Sequence, residues 1–251
     1  MAAPRPASLS LVIPVYNERD SLEALHDECV QALGGLGIAW EMILVDDGSD
    51  DGSGPLLDRL AAADARLRVL HFAANAGQSA AFFAGFRAAR GEVVVTLDSD
   101  LQNDPADIPM LLEALGDHGA VAGWRRERHD RALRRISSRI ANSVRNWLTA
   151  ERVRDTGCSL KAFRREALAT LPLSRGMHRF LPTYVRMAGY TVTEVPVRHR
   201  PRRAGVSKYG VGNRLWVGIG DLFMVRWMQR RAARYRVARE VGAGLPPHGG
   251  S

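Results

Sequence analysis

The chain has 251 residues, 46% hydrophobic and 25% charged, which is ordinary for a globular protein with a sizeable core. Cys29 and Cys158 lie far apart without His or Cys partners at metal-ligand spacing, which argues against a disulfide scaffold or a zinc site. The net charge of +8 hides an asymmetry, because residues 1–123 carry 7 Lys/Arg against 19 Asp/Glu (net −12) and residues 124–251 carry 28 against 8 (net +20). The basic half predicts an anionic partner, such as a nucleic acid or a membrane surface.

Neither a signal peptide nor a membrane span is indicated. Met1–Ser8 is short, contains proline and leads directly into a strand pattern. The longest uncharged stretch, Val69–Phe86, contains His71, Asn75 and Gln78, whereas a span needs roughly 20 mainly apolar residues. We therefore expect no transmembrane helix in this chain.

The first 100 residues alternate strand and helix patterns. Strands are predicted at Leu9–Val15, Trp40–Val45, Leu67–Phe72 and Val93–Leu97. Helices are predicted after a capping box at Asp20 and Glu23, from Ser53 with Pro55 in the first turn, and over Ser79–Arg90. This alternation with short connections predicts a mostly parallel sheet with helices on both faces.

Three of the predicted strands end in polar or acidic turns, namely Tyr16–Glu18, Asp46–Ser49 and Asp98–Asp100. The carboxyl ends of parallel strands share one edge, where ligands of open α/β sheets collect. Two carboxylates after a buried strand fit a divalent ion that bridges a phosphorylated ligand, although an Asp-rich turn is the simpler alternative. No P-loop or Gly-x-Gly-x-x-Gly follows the first strand, which argues against P-loop NTPases and ordinary dinucleotide enzymes.

Four ordered motifs resemble family 2 glycosyltransferases of the GT-A fold, in the branch of dolichol-phosphate mannosyltransferase and bacterial polyprenyl-phosphate glycosyltransferases. The motifs are IPVYNE (Ile13–Glu18), VDDGSDDGS (Val45–Ser53), NAGQSAAFFAG (Asn75–Gly85) and LDSDLQNDP (Leu97–Pro105). The resemblance covers about residues 9–210. It implies a GT-A fold, a nucleotide-sugar donor and a bound Mg²⁺ or Mn²⁺.

The resemblance also implies roles for individual residues of the first half. The nucleotide-sugar set is Pro14, Tyr16, Glu18, Asp46, Gln78 and Asp98. The metal set is Asp98, Asp100 and Gln102. Asp47 is either a second nucleoside contact or a residue that caps the Gly48–Ser53 turn.

The second half begins with a predicted strand at Ala120–Trp124, followed by arginines and a predicted helix over Asp130–Thr149. Five arginines on that helix lack acidic partners four residues away, which favours an anionic ligand over a merely solvated face. The resemblance places Arg125, Arg134 and Ser138 near the donor diphosphate or the acceptor phosphate.

Asp155 opens the motif Asp155–Ser159, which resembles an acceptor-side motif of the family and makes Asp155 the candidate catalytic base beside Asp100 and Arg125. A phosphate monoester acceptor has a second pKa of about 6 and is largely dianionic near neutral pH. Such a nucleophile needs positioning more than deprotonation. Asp155 therefore has three open roles: base, orienting group for an arginine or the acceptor, or turn cap.

A helix is predicted over Met177–Ala188 and a strand over Thr191–Val197. The arginine-rich segment that follows closes in GVSKY and matches a mobile active-site loop of the family. Its members Arg202, Ser207 and Lys208, with Arg134 and Ser138, form the predicted acceptor-phosphate set. A loop of this kind can exclude water and so limit hydrolysis of the donor.

The segment Val211–Arg231 mixes apolar residues and tryptophans with Asp221 and several arginines. It is too charged to span a bilayer, so it is either a basic amphipathic helix at the membrane surface or a helix packed on the domain. The predicted organisation is a flexible start (1–8), a GT-A domain (9–210; nucleotide half 9–123, acceptor half 124–210), an amphipathic segment (211–239) and a disordered tail (240–251).

Together these observations predict an inverting, metal-dependent transfer of a sugar from a UDP- or GDP-sugar to a polyprenyl phosphate. We expect peripheral attachment at the cytoplasmic face of a bacterial inner membrane, through an anionic surface or a separate integral membrane partner. Two alternatives stay open: a transferase of the same fold with a glycan or protein acceptor, and a nucleic-acid-binding protein. The second leaves the three acidic strand ends unexplained, so no nucleic-acid partner is expected.

Overall fold

The structure is a computed structural model that describes residues 6–125, 153–169, 171–172, 174, 176–201 and 211–231, the last of these by backbone only for 211–219. The strands are β1 (Ser8–Val15), β2 (Ala39–Asp46), β3 (Leu67–His71), β4 (Val93–Thr96), β5 (Ala120–Arg125), β6 (Lys161–Arg164) and β7 (Val192–Val197). They form one sheet in the order β3-β2-β1-β4-β6-β5-β7.

The described helices lie on both faces of this sheet. They are α1 (Arg19–Gly34), α2 (Ser53–Ala63), α3 (Gln78–Ala88), α4 (Ile108–Leu115), α5 (Arg165–Leu168), α6 (Leu181–Met187) and α7 (Val211–Arg231), with 3-10 turns at Pro105–Asp107 and Met177–Arg179. Along β1, Leu11 and Ile13 pack against α1, α2 and α4, whereas Val12 packs with α3, α5, α6 and α7. Because side chains alternate along a strand, each strand serves two core layers. The predicted α/β sheet covered on both faces is confirmed.

Strand direction decides which chain segments meet. The β1–β2, β1–β4, β2–β3 and β5–β7 pairs are parallel, whereas β6 runs antiparallel to both β4 and β5. The carboxyl ends of β1, β2, β4, β5 and β7 therefore share one edge with the amino end of β6. This places Asp98, Arg125 and the Asp155–Ser159 segment at the same edge of the sheet.

Strand β6 was not a predicted element, and its four residues KAFR carry too little periodicity to indicate one. The predicted capping box was wrong, because α1 begins at Arg19 after Glu18 and has no side-chain cap, so Asp20 lies in its first turn. The predicted helix Met177–Ala188 is divided into a 3-10 turn and α6.

Helix α7 packs on the domain through one face. Val225 is fully buried, and Leu222 and Met228 pack around it in the same core cluster as α3. The carboxylate of Asp221 faces Gly176, so this charge points inward. On the opposite face Phe223 is 62% and Trp227 58% exposed. Among the described residues, no helix is long and apolar enough to cross a bilayer.

Candidate active site

Asp98 lies just beyond the end of β4, beside the β1/β4 junction, and is held by neutral donors. The backbone N–H of Leu97 donates to the carbonyl oxygen of Val12 at 3.2 Å, which continues the strand pairing up to the site. The side-chain Nε2 of Gln78, the first residue of α3, donates to Oδ1 of Asp98 at 2.8 Å. The hydroxyl of Ser159 also hydrogen-bonds to this carboxylate. The side chains that hydrogen-bond to Asp98 are therefore neutral, and the charged groups near it, Lys161 and Arg125, act at longer range.

This environment shifts the protonation of Asp98. Burial, with the nearby charge of Asp100, raises the pKa of Asp98 to about 6, while Ser159, Lys161 and Arg125 act in the opposite direction. A cation placed between Asp98 and Asp100 would relieve both the desolvation and the repulsion. The raised pKa therefore fits two carboxylates arranged for a positive ion.

The segment after Asp100 is a tight turn. Leu101 has a left-handed φ of 59°, and the backbone N–H of Gln102 donates to Oδ1 of Asp100 at 3.2 Å. In the described part of the chain, no group of three or more His, Cys, Asp or Glu side chains is placed to hold a metal. Two carboxylates and the Gln102 amide nevertheless fit Mg²⁺ or Mn²⁺, since such an ion is commonly held by one or two carboxylates plus substrate phosphates.

The loops after β1 and β2 are bonded to each other. Asn17 has a φ of 53°, and its side chain exchanges hydrogen bonds with Asp50, donating to Oδ1 at 2.6 Å and accepting the backbone N–H at 2.9 Å. The backbone N–H of Glu18 donates to the hydroxyl of Ser53 at 3.2 Å. Tyr16 and Glu18, two of the predicted donor-binding residues, therefore lie in a braced turn beside the second loop.

Asp46 and Asp47 are both buried and point to different partners. Oδ1 of Asp46 accepts the backbone N–H of Ser49 at 3.0 Å, and Oδ2 lies 2.9 Å from Nδ1 of His71. The other ring nitrogen of His71 lies 3.0 Å from Asp58. Partial burial opposes charging of His71, but these two carboxylates raise its pKa overall. Asp46 therefore braces the end of β3 as well as its own turn.

The carboxylate of Asp47 anchors the loop before α3. It accepts the side-chain amide of Asn75 at 3.0 Å and the backbone N–H groups of Ala76 at 2.7 Å and Gly77 at 2.9 Å. Burial raises its pKa, and the two backbone donors oppose that shift. As the alternative to a nucleoside contact, Asp47 was expected to cap the Gly48–Ser53 turn. That expectation was wrong, because Asp47 caps Asn75–Gly77 instead. Its nucleoside contact stays a prediction.

Asp155 is paired with Arg125 on both carboxylate oxygens. Nε of Arg125 donates to Oδ2 at 2.6 Å and Nη2 donates to Oδ1 at 2.9 Å. The backbone N–H of Gly157 adds a bond to Oδ1 at 3.1 Å. The Asp155 side chain is 7% exposed and that of Arg125 15%. This bidentate geometry suits an orienting carboxylate better than a proton acceptor.

Two buried basic residues near the site escaped the sequence interpretation. Lys161 on β6 is 3% exposed, donates to the carbonyl oxygen of Cys158, and has Asp98, Asp155 and Arg125 as electrostatic neighbours. Burial lowers its pKa, while the acidic neighbours raise it. A lysine inside an otherwise apolar strand directly after the Asp155–Ser159 motif was the available signal.

The second is His178, whose Nδ1 lies 2.8 Å from the hydroxyl of Ser79 in the first turn of α3. Burial lowers the pKa of His178 to about 3, with the charges of Arg179 and Lys161 adding to the effect. A neutral imidazole thus packs beneath the start of the helix that carries Gln78. No signal in the sequence indicated His178, because no other potential ligand lies at metal-binding spacing from it.

The predicted acceptor-phosphate residues lie outside the described residues. These are Arg134, Ser138, Arg202, Ser207 and Lys208, together with the predicted helix over Asp130–Thr149. Of the donor, metal and catalytic sets, the structure brings Tyr16, Glu18, Asp46, Asp98, Asp100, Gln102, Arg125 and Asp155 to one edge of the sheet. Pro14 is buried within β1, and Gln78 contacts the site through Asp98.

A mostly parallel sheet with an acidic pair at its carboxyl edge, beside a buried Arg–Asp pair, is the arrangement that the sequence predicts for a sugar transferase of the GT-A class. Residues 10–171 match the sequence pattern of glycosyl transferase family 2, and the chain belongs to that family. The resemblance drawn from the four motifs is confirmed.

Two curated relatives share more than a third of their aligned residues with this chain. It is 38% identical over 232 residues to the dodecaprenyl-phosphate galacturonate synthase of Rhizobium johnstonii, which covers 90% of this chain and 68% of that protein. It is 39% identical over 204 residues to the undecaprenyl-phosphate 4-deoxy-4-formamido-L-arabinose transferase of Salmonella paratyphi B, covering 80% of this chain and 62% of that protein.

Solved structures share the fold. Glucosyl-3-phosphoglycerate synthase from Mycobacterium tuberculosis, in complex with Mn²⁺, UDP and phosphoglyceric acid, superposes with a TM-score of 0.66 at 22% identity, over 89% of this chain and 78% of that one. The mannosyltransferase PcManGT from Pyrobaculum calidifontis, in complex with GDP-Man and Mn²⁺, superposes with a TM-score of 0.60 at 21% identity. The match covers 92% of this chain and 66% of that one. At these identities the likeness establishes the fold.

Proposed function

We propose that this chain transfers a sugar from a nucleotide sugar to a polyprenyl phosphate, with inversion at the anomeric carbon. The observation that carries the proposal is the meeting of Asp98 and Asp100 with the Arg125–Asp155 pair at one sheet edge. The two relatives, both named as polyprenyl-phosphate sugar enzymes, support the choice of acceptor. In this reaction an acceptor phosphate oxygen bonds to the anomeric carbon while the bond to the nucleoside diphosphate breaks.

The nucleotide-sugar donor is bound by the loops after β1 and β2 and by the start of α3. Tyr16 and Glu18 lie in the turn that is braced by Ser49 and Ser53. Asp47 holds the backbone of Asn75–Gly77 beside Gln78, so the nucleoside side of the site is a set of cross-linked loops. Rigid loops of this kind lower the ordering cost of binding a nucleotide.

Asp98, Asp100 and Gln102 are the residues that would hold Mg²⁺ or Mn²⁺. A bound divalent ion neutralises charge that develops on the diphosphate as its bond to the sugar breaks. The chain's own contribution is to keep Asp98 oriented through Gln78 and Ser159. The Asp100 carboxylate is fixed by the backbone of Gln102.

On the acceptor side, Asp155 orients Arg125 toward the anionic groups of the reaction. Because a phosphate monoester is already mostly dianionic near neutral pH, no strong base is needed, and positioning by cations supplies the main effect. Buried Lys161 is a second basic group with Asp98 and Asp155 as electrostatic neighbours. Both basic residues come from the half of the chain with net charge +20.

Contact with an anionic membrane surface is supported by the exposed face of α7. Phe223 and Trp227 are one helical turn apart, and Arg230 and Arg231 continue the same exposed stripe. The sequence-based prediction of an amphipathic helix does not hold for α7 as a whole, and the proposal rests on this one exposed stripe. Its aromatic rings would lie in the headgroup region, where each basic residue near anionic lipid adds about 1 kcal/mol.

The function is tested with purified protein, radiolabelled UDP- and GDP-sugars, and undecaprenyl phosphate in liposomes, with Mg²⁺ or Mn²⁺. We expect organic-extractable label from one donor, lost with EDTA and with Asp100→Ala. Metal-dependent nucleotide binding without lipid product from any donor would refute the polyprenyl-phosphate acceptor. It would direct the search to glycan or protein acceptors.

A further inference from the structure

The segment that follows β7 is bonded to the turn that carries Gln102. The backbone N–H of Arg200 donates to the carbonyl oxygen of Gln102 at 2.8 Å. The next residue of that turn, Asn103, forms an isolated antiparallel bridge with His199. The backbone of the predicted metal-binding turn is therefore paired with a segment almost 100 positions later in the sequence.

Two arginines of this segment extend the pairing into an ionic clamp, defined here as Arg198 and Arg200 with Asp104, Asp107 and Glu28. Nη2 of Arg200 lies 2.7 Å from Oδ2 of Asp104, and its Nη1 lies 2.7 Å from Oε2 of Glu28. Nη1 of Arg198 lies 3.0 Å from Oδ2 of Asp104, and its Nη2 lies 2.7 Å from Oδ1 of Asp107. The backbone N–H of Arg198 also donates to Asp107 at 2.7 Å.

The clamp is more than a surface salt bridge. The side chains of Asp104 and Asp107 are only 6% and 9% exposed, so their charges depend on the two arginines for compensation. Oδ1 of Asp104 also accepts the backbone N–H of Ala106 and caps the 3-10 turn. One carboxylate thus joins both arginines to the start of the element that follows the metal-binding turn.

The turn itself needs such support. Leu101 adopts a left-handed φ of 59°, which costs free energy for a residue with a branched side chain and persists only where the surroundings hold it. On its other side the turn is tied to Asp98, because Asn103 donates to the hydroxyl of Ser159 at 2.7 Å and Ser159 bonds to Asp98. The clamp and the Asn103–Ser159 bond therefore fix the turn from two directions.

We propose that Arg198 and Arg200 are positioning residues that hold Asp100 and Gln102 in the arrangement that binds the divalent cation. This inference rests on the proposed function, since it takes the Asp98–Asp100–Gln102 set as the cation site. Groups that orient metal ligands typically change metal affinity about 10- to 100-fold when they are removed. Loss of the clamp should therefore weaken cation binding without removing a single ligand.

The test compares Arg200→Gln and Arg200→Lys with the matched control Arg66→Gln. Arg66 also forms a two-point ion pair, with Asp64, but it precedes β3 at the opposite edge of the sheet. The measured quantities are the Mn²⁺ dissociation constant in the presence of UDP, from the electron paramagnetic resonance signal of free Mn²⁺, and amide hydrogen exchange of the peptide that spans residues 98–104.

For Arg200→Gln we expect Mn²⁺ affinity to fall about 10-fold, and hydrogen exchange in residues 98–104 to rise, with unchanged exchange in the peptides of α2. Arg200→Lys keeps the charge but cannot bridge Asp104 and Glu28 in the same way, so its loss of affinity should be smaller. The control should match the wild type in both measurements.

A lower melting temperature of Arg200→Gln with wild-type Mn²⁺ affinity and wild-type exchange in residues 98–104 would refute the positioning role and leave the clamp purely structural. If Arg200→Gln fails to fold, Asp104→Asn weakens the same clamp while both arginines are retained. The Mn²⁺ dissociation constant and the hydrogen exchange of residues 98–104 in that variant then test the positioning role. Absence of Mn²⁺–UDP binding by the wild-type chain would instead refute the proposed function, which is a distinct result.

Discussion

Carboxylates on the two sides of the candidate site are held in opposite ways. At the ends of β2 and β4, Asp47 and Asp98 accept hydrogen bonds from backbone amides, a glutamine and a serine. Beside β5 and β6, Asp155 is neutralised by a bidentate pair with Arg125. Neutral donors hold a carboxylate in place while its negative charge stays available for a cation. A bidentate pair with arginine instead neutralises the carboxylate and fixes the orientation of the arginine.

This difference separates the two tasks of the site. In the proposed function, the donor side keeps negative charge for a metal ion, and on the acceptor side Asp155 orients the Arg125 guanidinium toward a phosphate. The clamp of Arg198 and Arg200 crosses between the halves, because these two arginines bind acids that precede residue 123. Part of the charge asymmetry in the sequence is therefore complemented within the fold rather than by an outside partner.

The largest effect is expected when the donor side loses a charged ligand. Asp100→Asn keeps the size of the side chain but removes a carboxylate, so transfer should fall at least about 1,000-fold, since metal stabilisation is worth several kcal/mol. Initial rates at saturating Mn²⁺ measure this. Asp117→Asn, at an exposed position after α4, is the control and should be unchanged. Comparable rates for the two variants would contradict the metal assignment.

The acceptor side is tested with Asp155→Asn, which leaves Arg125 without its bidentate partner. We expect a loss of activity of about 100-fold and a loss of stability of about 3 kcal/mol, as for breaking a buried ion pair. If Asp155 orients Arg125, then Arg125→Gln should cost a similar amount and the double variant little more.

The pH–rate profile separates the two roles of Asp155. An orienting carboxylate leaves the shape of the profile unchanged in Asp155→Asn, and only the maximum falls. Disappearance of the acidic limb in this variant would identify Asp155 as a base instead. The full profile of kcat for wild type and variant is the deciding measurement.

The raised pKa of Asp98 predicts opposite pH effects on binding and on stability. Mn²⁺ affinity should be constant well above pH 6 and fall about 10-fold per pH unit below it, because one proton competes with the metal. A folded-state pKa above the ordinary value favours the folded state at low pH, and this contribution is lost as pH rises through about 6.

In the metal-free protein, Asp98→Asn should therefore raise the melting temperature at pH 8 and have little effect at pH 4. Melting curves of both proteins at the two pH values, with EDTA present, measure this. A melting temperature lowered by the substitution at pH 8 would show that the charge of Asp98 is already compensated in the metal-free site.

The smallest effect concerns α7. Replacing Phe223 and Trp227 together with serine should lower partitioning onto anionic vesicles by about 10-fold, given the apolar area that the two rings expose. Transfer to a soluble short-chain acceptor should stay unchanged. Sedimentation with anionic and with zwitterionic vesicles provides the measurement, and Arg66→Gln serves as a surface control. Equal partitioning of the wild type, the double variant and the Arg66→Gln control would exclude this face as the membrane contact.

The sequence alone determined where the first four strands lie along the chain and the polar or acidic ends of β1, β2 and β4. Local signals carry this information, because buried parallel strands are short apolar runs and carboxylates are conspicuous directly after them. The same local signals carried the motifs of the metal and nucleotide sets and indicated a helix in the segment that begins at Val211.

Only the tertiary structure decided how distant segments meet. The reversed direction of β6 places Asp155 on Arg125 and buries Lys161 near Asp98, and nothing in a four-residue strand predicts its direction. The inward orientation of Asp221 and the Arg198–Arg200 clamp depend likewise on packing between remote elements. Such pairings are fixed by the shared core and the sheet register, which no local stretch of sequence encodes.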